Sequence, residues 1–435
     1  MDNAKFKAQV YALKNAQRRL ATLSLQERNK MLLTISETLQ AEASKIFRAN
    51  QKDLKRAKSE NLSPVLQKRL LFDEDKLQDA CEGITQVASL PDPVGKVQER
   101  RLLAEGLLLE RVAVPIGVIG MIFESRPDAL IQIIALCLKS GNGIVLKGGS
   151  EARESNAVLV EIIRQALQDF SAGSGWIVHM ESREDVQTIL KLDDVIDLLI
   201  PRGSNVFVRY IMDNTKIPVL GHADGLCAIY VDEEYDLELA LKVTVDAKCQ
   251  YPAVCNAVET LLVHKNIAQE FLPRLKEALA PYSVEIRGEN RVGKIIECKV
   301  AVEEDFETEF LDYILAIKIV DSYQEAVDHI TRYGSHHTDA IISSNEATAK
   351  RFLREVDSAD VFWNCSTRFA DGFRYGLGAE VGIGTQRIHA RGPVGLNGLV
   401  TSKWLLAGQG HTVGNVSFNH IDLPLDKSEL WSEGQ

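Results

Sequence analysis

The sequence predicts an α/β protein built from two doubly wound parallel sheets. Apolar runs rich in β-branched residues alternate with helical segments from residue 112 to 220, and again from about residue 226 to 364. Such uninterrupted apolar runs are typical of parallel strands that are buried on both faces. Their regular alternation with helices and short loops indicates a doubly wound arrangement in each series.

Composition limits the class of protein. The chain has 435 residues, of which 45% are hydrophobic and 26% charged, and its formal net charge is −11. This length indicates about two to three domains, and the negative charge argues against nucleic acid or an anionic membrane as a partner. The 7 cysteines include no Cys-x-x-Cys pair, and no apolar signal segment opens the chain. We therefore expect reduced thiols and a cytoplasmic location.

Residues 1–90 predict an antiparallel helical layer. Ser24 and Glu27 have the spacing of a capping box, and Ser63 stands before Pro64 as an N-cap followed by proline at the first helical position. A loop punctuated by proline and glycine follows at residues 90–96.

The first α/β series begins with one predicted strand over residues 112–123. Later strands are predicted over 144–147, 176–179, 195–200 and 218–220, with helices between them. Two turns, Lys147 to Ser150 and Pro201 to Ser204, end predicted strands just before helices, where backbone N–H groups can receive phosphate. No Gly-x-Gly-x-x-Gly fingerprint opens a helix here. Phosphate binding and simple helix capping therefore remain alternatives for both turns.

The second series contains the main candidate for a catalytic nucleophile, Cys255, in the segment DAKCQYPAVCNAVETLLVH (246–264). Apolar residues after the Tyr-Pro-Ala turn recur at roughly helical spacing, which predicts a helix that begins near Cys255. A helix N-terminus favours the reactive thiolate. The alternative is an unreactive thiol, because free cysteines usually pack as small apolar side chains.

The segments PIGVIGMIFESRPDAL, LKGGSEA, IPRGSN, the cysteine segment and VGIGTQRIHARGPVGLNGL occur in this order along the chain. Their order and spacing resemble those of the aldehyde dehydrogenase superfamily, over nearly the whole chain. Residues 320–341, VDSYQEAVDHITRYGSHHTDAI, more narrowly resemble the signature of the branch that reduces γ-glutamyl phosphate. They are also similar to the reductase half of the bifunctional pyrroline-carboxylate synthases.

This resemblance implies NADPH-dependent reduction of L-glutamate 5-phosphate to glutamate 5-semialdehyde and phosphate, in proline biosynthesis. It implies that the Cys255 thiolate attacks the acyl phosphate and that hydride transfer reduces the resulting thioester. Hydrolytic relatives carry a water-activating glutamate in the turn that here reads GHADG (221–225), so phosphate is the natural second partner. His222 or Asp224 remains open as a base.

The resemblance also implies an NADP(H) site. Lys147 would contact the adenosine ribose or its phosphate, and Ser150 replaces an acidic residue that would repel a 2′-phosphate. Glu309 would hold the nicotinamide ribose, although the Phe-Gly-Pro that normally follows reads Phe-Leu-Asp. The expected cofactor residues are Lys147, Gly149, Ser150, Gly203, Ser204 and Glu309.

The substrate end is expected at Arg126, Asn364, Ser366, Arg368 and Glu380. Arg126 attracts attention because a guanidinium fork matches carboxylates and phosphates, although a structural arginine that ties two loops is the alternative. An ordinary solvated loop is the alternative for the others. No metal is expected, because the spacing of His329, His336 and His337 matches no common ligand motif.

The expected architecture is aldehyde-dehydrogenase-like, with two doubly wound α/β domains and a small oligomerisation element. Residues 1–224 would hold the N-terminal helices and the dinucleotide-binding domain, and 225–394 the catalytic domain. Residues 395–435 would form a tail whose segment SKWLL (402–406) leaves the body as an isolated strand to pair with a partner subunit. We expect a homo-oligomer and association with glutamate 5-kinase. An NAD-linked hydrolytic aldehyde oxidant and a non-catalytic nucleotide-binding or enzyme-binding member remain the alternatives.

Overall fold

The computed structural model describes residues 3–123, 126–180, 184–203, 205–221, 224–425 and 428–431. Its α-helices are α1 (Asn3–Leu20), α2 (Leu25–Ala41), α3 (Ala43–Ser59), α4 (Pro64–Leu70), α5 (Glu74–Ser89), α6 (Pro127–Lys139), α7 (Arg153–Ala166), α8 (Glu184–Ile189), α9 (Asn205–Asp213), α10 (Leu237–Cys249), α11 (Ala268–Leu279), α12 (Tyr323–Tyr333) and α13 (Glu346–Glu355). Its strands are β1 (Val97–Ala104), β2 (Leu107–Pro115), β3 (Val118–Phe123), β4 (Gly143–Lys147), β5 (Ile177–Met180), β6 (Leu198–Arg202), β7 (Cys227–Val231), β8 (Val258–His264), β9 (Glu285–Gly288), β10 (Lys299–Val300), β11 (Ile314–Val320), β12 (Thr338–Ile342), β13 (Asp360–Trp363), β14 (Ile383–Gly384), β15 (Gly392–Pro393), β16 (Val400–Ala407) and β17 (Ile421–Asp422).

The described chain forms two compact units. Unit 1 consists of Met1–Leu220, Leu377–Gly382 and Val394–Gln435, and unit 2 of Gly221–Gly376 and Ile383–Pro393. None of the helices in the described ranges combines the length and apolarity needed to cross a lipid bilayer.

The N-terminal helices of unit 1 begin where the sequence predicts. Ser24 caps α2 and forms the capping box with Glu27, and Ser63 caps α4 ahead of Pro64. The helix α2 buries Met31 and Leu32 on one face. These caps satisfy N–H groups that would otherwise lack partners at the start of each helix. The predicted helical layer is therefore confirmed.

The parallel sheet of unit 1 has the strand order β5-β4-β3-β6. From β3 the chain moves outward through β4 to β5 and then returns to the other side of β3 to form β6. This reversal creates a topological switch point at the carboxyl ends of β3 and β6, where Phe123 pairs with Arg202. Ligands of open α/β sheets bind at such points.

The prediction of one strand over residues 112–123 is wrong. The strand β2 ends at Pro115, and β3 begins at Val118 in a different sheet. Gly117 between them has φ +133°, and the Asp197 carboxylate lies where a Cβ atom would be. That carboxylate accepts the N–H of Val118 at 2.8 Å. A break of this kind needs glycine and a distant partner, and apolar periodicity reports neither. The strand predicted at 218–220 is reduced to a single bridge between Val219 and Leu199.

An antiparallel sheet of order β16-β2-β1-β17 completes unit 1. The strand β16 pairs with β2 along its full length, from Val400 opposite Pro115 to Ala407 opposite Leu108. The expectation of an isolated C-terminal strand is therefore wrong, because the unpredicted hairpin of β1 and β2 offers it an edge within the same chain. The outer edge of β16 is the edge of this described sheet.

Unit 2 contains a seven-stranded parallel sheet of order β10-β9-β11-β8-β7-β12-β13. Alternate residues of its strands point to opposite faces. One face packs with α10 and α11, through residues such as Leu261 and Phe271. The other packs with α12 and α13, through residues such as Leu262 and Phe352. Helices on both faces confirm the doubly wound prediction for this half of the chain.

Candidate active site and cofactor-binding turns

Cys255 lies on the turn that joins α10 to the central strand β8. The predicted helix at this position is wrong, since residues 258–264 pair with both β7 and β11 in the middle of the sheet. A strand buried on both faces is apolar throughout, so a short segment of it also satisfies a helical spacing. The thiol therefore does not lie at a helix N-terminus.

Hydrogen bonds from neighbouring segments hold the backbone on both sides of the thiol. The Asn256 amide donates to Ala370 O at 2.8 Å, and the Thr367 hydroxyl donates to Asn256 O at 2.7 Å. The Cys227 thiol donates to Cys255 O at 3.2 Å. These bonds fix the turn while the side chain of Cys255 remains half-buried.

Gly225 packs directly against this turn, which the sequence did not predict. A Cβ atom at position 225 would lie 2.2 Å from Cys255 O and 2.5 Å from Cys255 Cα. Gly225 belongs to the turn in which His222 and Asp224 were alternative bases, and His222 lies outside the described residues. The close approach explains a glycine at this place, because any side chain would displace Cys255.

A buried cation, Arg368, lies beside the cysteine turn. Its Nε donates to Gln250 Oε1 at 3.0 Å, and Gln250 is the C-cap of α10. Burial lowers the pKa of the Arg368 guanidinium and the nearby Arg374 adds to this, whereas the charge of Cys255 acts in the opposite direction. The structure therefore brings two predicted residues together, the Cys255 thiol and the Arg368 guanidinium.

Two further predicted substrate residues support the loop that carries Arg368. The Asn364 amide is engaged at both ends by Ser343, donating to its O and accepting from its N, each at 3.0 Å. Asn364 itself has φ +57°. Ser366 accepts the N–H of Arg368 and caps the short 3-10 helix Thr367–Phe369. Their observed bonds are those of backbone support.

Three other thiols around the sheet, those of Cys227, Cys249 and Cys365, are poor nucleophiles. Burial raises the pKa of Cys249 to about 11, although Lys248 partly offsets this. Burial also raises the pKa values of Cys227 and Cys365. These thiols therefore remain protonated near neutral pH. They are unreactive there, because only a thiolate attacks efficiently.

A fully buried ion pair, which the sequence did not predict, joins Lys248 before Cys255 to Glu259 after it. Lys248 Nζ lies 2.6 Å from Glu259 Oε2, and the side chains are 0% and 1% exposed. Glu259 Oε1 also accepts the N–H of Leu311 at 3.2 Å. Leu311 has φ +54° and lies two residues after Glu309. The pair thus ties the loop of the predicted cofactor residue Glu309 to both ends of the cysteine segment.

The available signal for this pair was a lone charge in the apolar run VETLLVH. Burial raises the pKa of Glu259, the Lys248 ammonium opposes that rise, and the nearby Glu309 carboxylate adds a smaller upward contribution. A charge is rarely fully buried without a partner, so Glu259 required one. The sequence did not identify Lys248 as that partner.

In unit 1, the predicted cofactor turns share the carboxyl edge of the parallel sheet. Lys147 ends β4 and is buried, with Nζ donating to Gly148 O at 2.5 Å. Gly149 is half-buried and Ser150 is exposed. Gly203 is exposed and directly follows β6. Ser204 lies outside the described residues, and the helix α9 begins at the next position.

The remaining predicted substrate residues also lie in unit 1. Arg126 is exposed at the N-cap of α6, close after the end of β3. Its neighbours Glu124 and Ser125 lie outside the described residues. Glu380 is half-buried in the segment Leu377–Gly382. Within unit 1, Arg126 therefore lies near the topological switch point, whereas Cys255, Asn364, Ser366 and Arg368 belong to unit 2.

The helix α3 holds the turn that follows β4, a contact that sequence reasoning missed. Asp53 accepts the N–H groups of Glu154 and Ser155 at the start of α7. Arg56 Nη2 donates to Ser150 O at 3.1 Å and to Glu151 O at 2.9 Å. The two residues are about 100 positions from their partners, so no local sequence pattern joins them.

Within the described ranges, no group of three or more His, Cys, Asp or Glu side chains is arranged to hold a metal ion. His329 is buried between Phe306 and Tyr333, with ring centroids 5.1 and 4.5 Å away. Burial lowers the pKa of His329 to about 3. Its ring is therefore neutral under physiological conditions and packs as an aromatic group.

One parallel α/β unit thus carries a thiol on the turn before its central strand, and the other carries glycine-containing turns at the ends of β4 and β6. Comparison with known proteins identifies the class of protein that has these features. The sequence model of the aldehyde dehydrogenase family matches residues 1–303. The γ-glutamyl phosphate reductase of Acetivibrio thermocellus is 55% identical over 403 residues, covering 93% of this chain and 94% of that protein. The enzyme of the same name from Pelotomaculum thermopropionicum is 56% identical over 396 residues, covering 91% of each.

A crystal structure of γ-glutamyl phosphate reductase from Thermotoga maritima matches with a TM-score of 0.92 and 40% identity, covering 94% of this chain and 99% of that chain. The chain therefore belongs to the aldehyde dehydrogenase family and, within it, to the γ-glutamyl phosphate reductases. Both levels of the resemblance are confirmed, and so is the predicted fold class.

Proposed function

We propose that this chain reduces L-glutamate 5-phosphate to glutamate 5-semialdehyde and phosphate in proline biosynthesis, with NADPH as the reductant. The observation that carries the proposal is the setting of Cys255, a half-buried thiol on a fixed turn beside the Arg368 guanidinium. The relatives at 55% and 56% identity support the substrate, since both are γ-glutamyl phosphate reductases.

In the proposed reaction, the Cys255 thiolate attacks the γ-carbonyl carbon. The bond from that carbon to the phosphate oxygen breaks, and phosphate leaves with the electron pair, so Cys255 holds a thioester. When bound, NADPH supplies the hydride that reduces this thioester. Hydride addition leaves an alkoxide on the carbon bound to Cys255, and its collapse to the aldehyde breaks the C–S bond and returns the thiolate.

Arg368 is proposed to bind the departing phosphate. Its guanidinium fork suits this group, because charge-assisted bonds to phosphate oxygens are strong and directional. Arg126 and Glu380 are proposed to contact the substrate, and Asn364 and Ser366 to support the Arg368 loop.

The residues of unit 1 fit a dinucleotide. The topological switch point opens beside Gly203, close to the N-terminus of α9, where N–H groups and the helix dipole favour phosphate. Lys147 adds a cation at the end of the neighbouring strand. We propose Lys147, Gly149, Ser150, Gly203 and Ser204 as NADP(H) contacts, together with Glu309 for the nicotinamide ribose.

We further propose a cytoplasmic homo-oligomer. The strand β16 and the chain that follows it expose apolar side chains that are unusual on a free surface, and such patches mark association sites. These residues are Trp404 (51% exposed), Leu406 (58%), Val413 (86%), Phe418 (47%), Ile421 (48%) and Leu425 (61%). Association with glutamate 5-kinase is proposed because an acyl phosphate is readily lost to hydrolysis in free solution.

The test runs the reaction in reverse, with glutamate 5-semialdehyde and NADP, with and without inorganic phosphate. Reduced-cofactor absorbance is followed for the native protein, for Cys255→Ala and for the matched control Cys249→Ala. We expect phosphate-dependent turnover that Cys255→Ala abolishes and Cys249→Ala retains. Turnover indifferent to phosphate would indicate a hydrolytic dehydrogenase, activity in Cys255→Ala would exclude that nucleophile, and no native turnover would favour a non-catalytic member.

A further inference from the structure

We infer that Arg56 is a specificity-determining residue that binds the 2′-phosphate of NADP(H). The inference rests on the proposed cofactor site, since it concerns the turn at Ser150. It adds a contact from the helical layer, nearly a hundred residues before that turn in sequence. A dinucleotide without the 2′-phosphate would lack this contact.

The guanidinium of Arg56 is held at the turn by one of its nitrogens. Nη2 donates to Ser150 O and Glu151 O and pairs with Asp53 Oδ1 at 2.5 Å. Among the described residues, every side-chain hydrogen bond of Arg56 is donated by Nη2. Nε and Nη1 therefore retain donors for another acceptor, and the side chain is 21% exposed.

Asp53 does not cancel the charge that Arg56 presents to solvent. Its side chain is completely buried. Besides Arg56, it accepts the N–H of Glu154 at 3.2 Å and the N–H and hydroxyl of Ser155 at 2.8 and 2.7 Å. The Asp53 carboxylate thus accepts hydrogen bonds from the first residues of α7 as well as from Arg56, and it fixes the position of the arginine side chain.

The neighbouring Glu151 carboxylate and the Arg56 guanidinium together determine where a phosphate can bind at this turn. The Glu151 carboxylate lies against Gly149, where a Cβ atom would be 2.0 Å from Oε1. A phosphate placed at Gly149 would be repelled, whereas one placed at Ser150 meets the Arg56 guanidinium. The planar fork of arginine binds phosphate oxygens through paired N–H bonds. An arginine near the ribose is the general means by which such sheets accept a 2′-phosphate.

The experiment compares 2′,5′-ADP with 5′-AMP, which differ by the 2′-phosphate, in calorimetric titrations of the full-length chain. Arg56→Gln keeps an amide that can donate to the two carbonyls but removes the charge. We expect it to weaken 2′,5′-ADP binding by about tenfold to hundredfold, the range for losing hydrogen bonds to a charged group. Binding of 5′-AMP should not change. The ratio of kcat/KM for NADPH to that for NADH should fall in parallel.

Arg48→Gln is the matched control, because Arg48 is exposed on the same helix and, within the described part of the chain, its side chain donates only to Ser44 O of that helix. It should match the native protein with both nucleotides. Arg56→Lys keeps the charge but loses the fork, so its selectivity should lie between those of the native protein and Arg56→Gln. If Arg56→Gln does not fold, Arg56→Lys serves as the test variant. A native preference of Arg56→Lys for 2′,5′-ADP over 5′-AMP would then overturn the inference.

Equal losses for both nucleotides in Arg56→Gln would show a structural role and overturn the inference, as would unchanged 2′,5′-ADP binding. A native protein that binds neither nucleotide, or that prefers NADH, would instead overturn the proposed cofactor. The native and variant measurements therefore separate a failure of the inference from a failure of the proposed function.

Discussion

Gly225 packs against the backbone of Cys255, the proposed nucleophile. A Cβ atom there would be 2.2 Å from Cys255 O and 2.6 Å from Cys255 Cβ, so the cysteine turn itself would have to move. Displacing a reacting group by about 1 Å typically costs about 100-fold in rate. We expect Gly225→Ala to lower kcat by about that factor, measured in the phosphate-dependent assay.

Gly293→Ala is the control for this change, since Gly293 lies in the same unit and its added Cβ atom would meet nothing within 4 Å. Alkylation of Cys255 by iodoacetamide gives a readout that needs no substrate. Native turnover in Gly225→Ala would mean that the turn can rearrange without cost, and the packing argument would fail.

Asp339, from the recognised signature, is a buried carboxyl with neutral partners. It accepts the N–H of Ala228 at 2.8 Å and the hydroxyl of Ser358 at 2.5 Å. Burial raises its pKa from 3.8 to about 6, although these hydrogen bonds partly offset the rise. The folded state therefore binds this proton more tightly than the unfolded state, and the associated stability is lost as pH rises from 3.8 through about 6.

Asp339→Asn should remove this pH dependence, because its amide oxygen can still accept the N–H of Ala228 and its amide N–H can donate to the hydroxyl oxygen of Ser358. A rise of about two pKa units corresponds to about 3 kcal/mol. Relative to the native protein, the variant should therefore gain up to about 3 kcal/mol in free energy of unfolding between about pH 4 and pH 7. Urea unfolding across this range measures the difference, with the exposed Asp328→Asn as control. Parallel curves for Asp339→Asn and the native protein would contradict the assignment.

At the level of elements, the Lys248–Glu259 pair joins the end of α10 to β8. Removing one partner of a buried pair leaves an uncompensated charge, which typically costs about 3–5 kcal/mol. We expect Lys248→Met to destabilise the protein by that amount in urea unfolding. The double variant with Glu259→Gln should recover most of the loss, because glutamine is neutral and still accepts the Leu311 N–H.

The exposed pair Arg351–Glu355 on α13 is the comparison for this experiment, with side chains 48% and 40% exposed. Arg351→Met should change the free energy of unfolding by less than about 1 kcal/mol, because solvent screens such pairs. A double variant no more stable than Lys248→Met would mean that lost packing, and not the buried charge, causes the destabilisation.

At the level of the whole molecule, the free edge and exposed apolar residues of β16 predict self-association. A charge on this surface would have to be buried on assembly, which is unfavourable without a partner. We expect Trp404→Glu with Leu406→Glu to give a smaller assembly than the native protein by light scattering after gel filtration. The control is Leu353→Glu, on an exposed position of α13. A native monomer, or an unchanged mass in the double variant, would exclude this surface.

The sequence by itself determined the class of fold and the helix caps, and it singled out Cys255 as the candidate nucleophile. Caps such as Ser24 depend on residues three positions apart, and apolar runs record burial in a parallel sheet directly. The cysteine segment and the narrow signature identified the family, because these motifs are contiguous in sequence.

Only the tertiary structure decided the rest, because the determining contacts join distant residues. Burial on both faces hides the strand period after Cys255, and the break at Gly117 depends on Asp197. The strand β16 lies nearly 300 residues from its partner β2. Arg56 reaches Ser150, and Lys248 reaches Glu259, only after α3 and β8 are packed in place. Local periodicity reports which side chains are buried, whereas the partners of a buried charge or an exposed turn are chosen by the assembled fold.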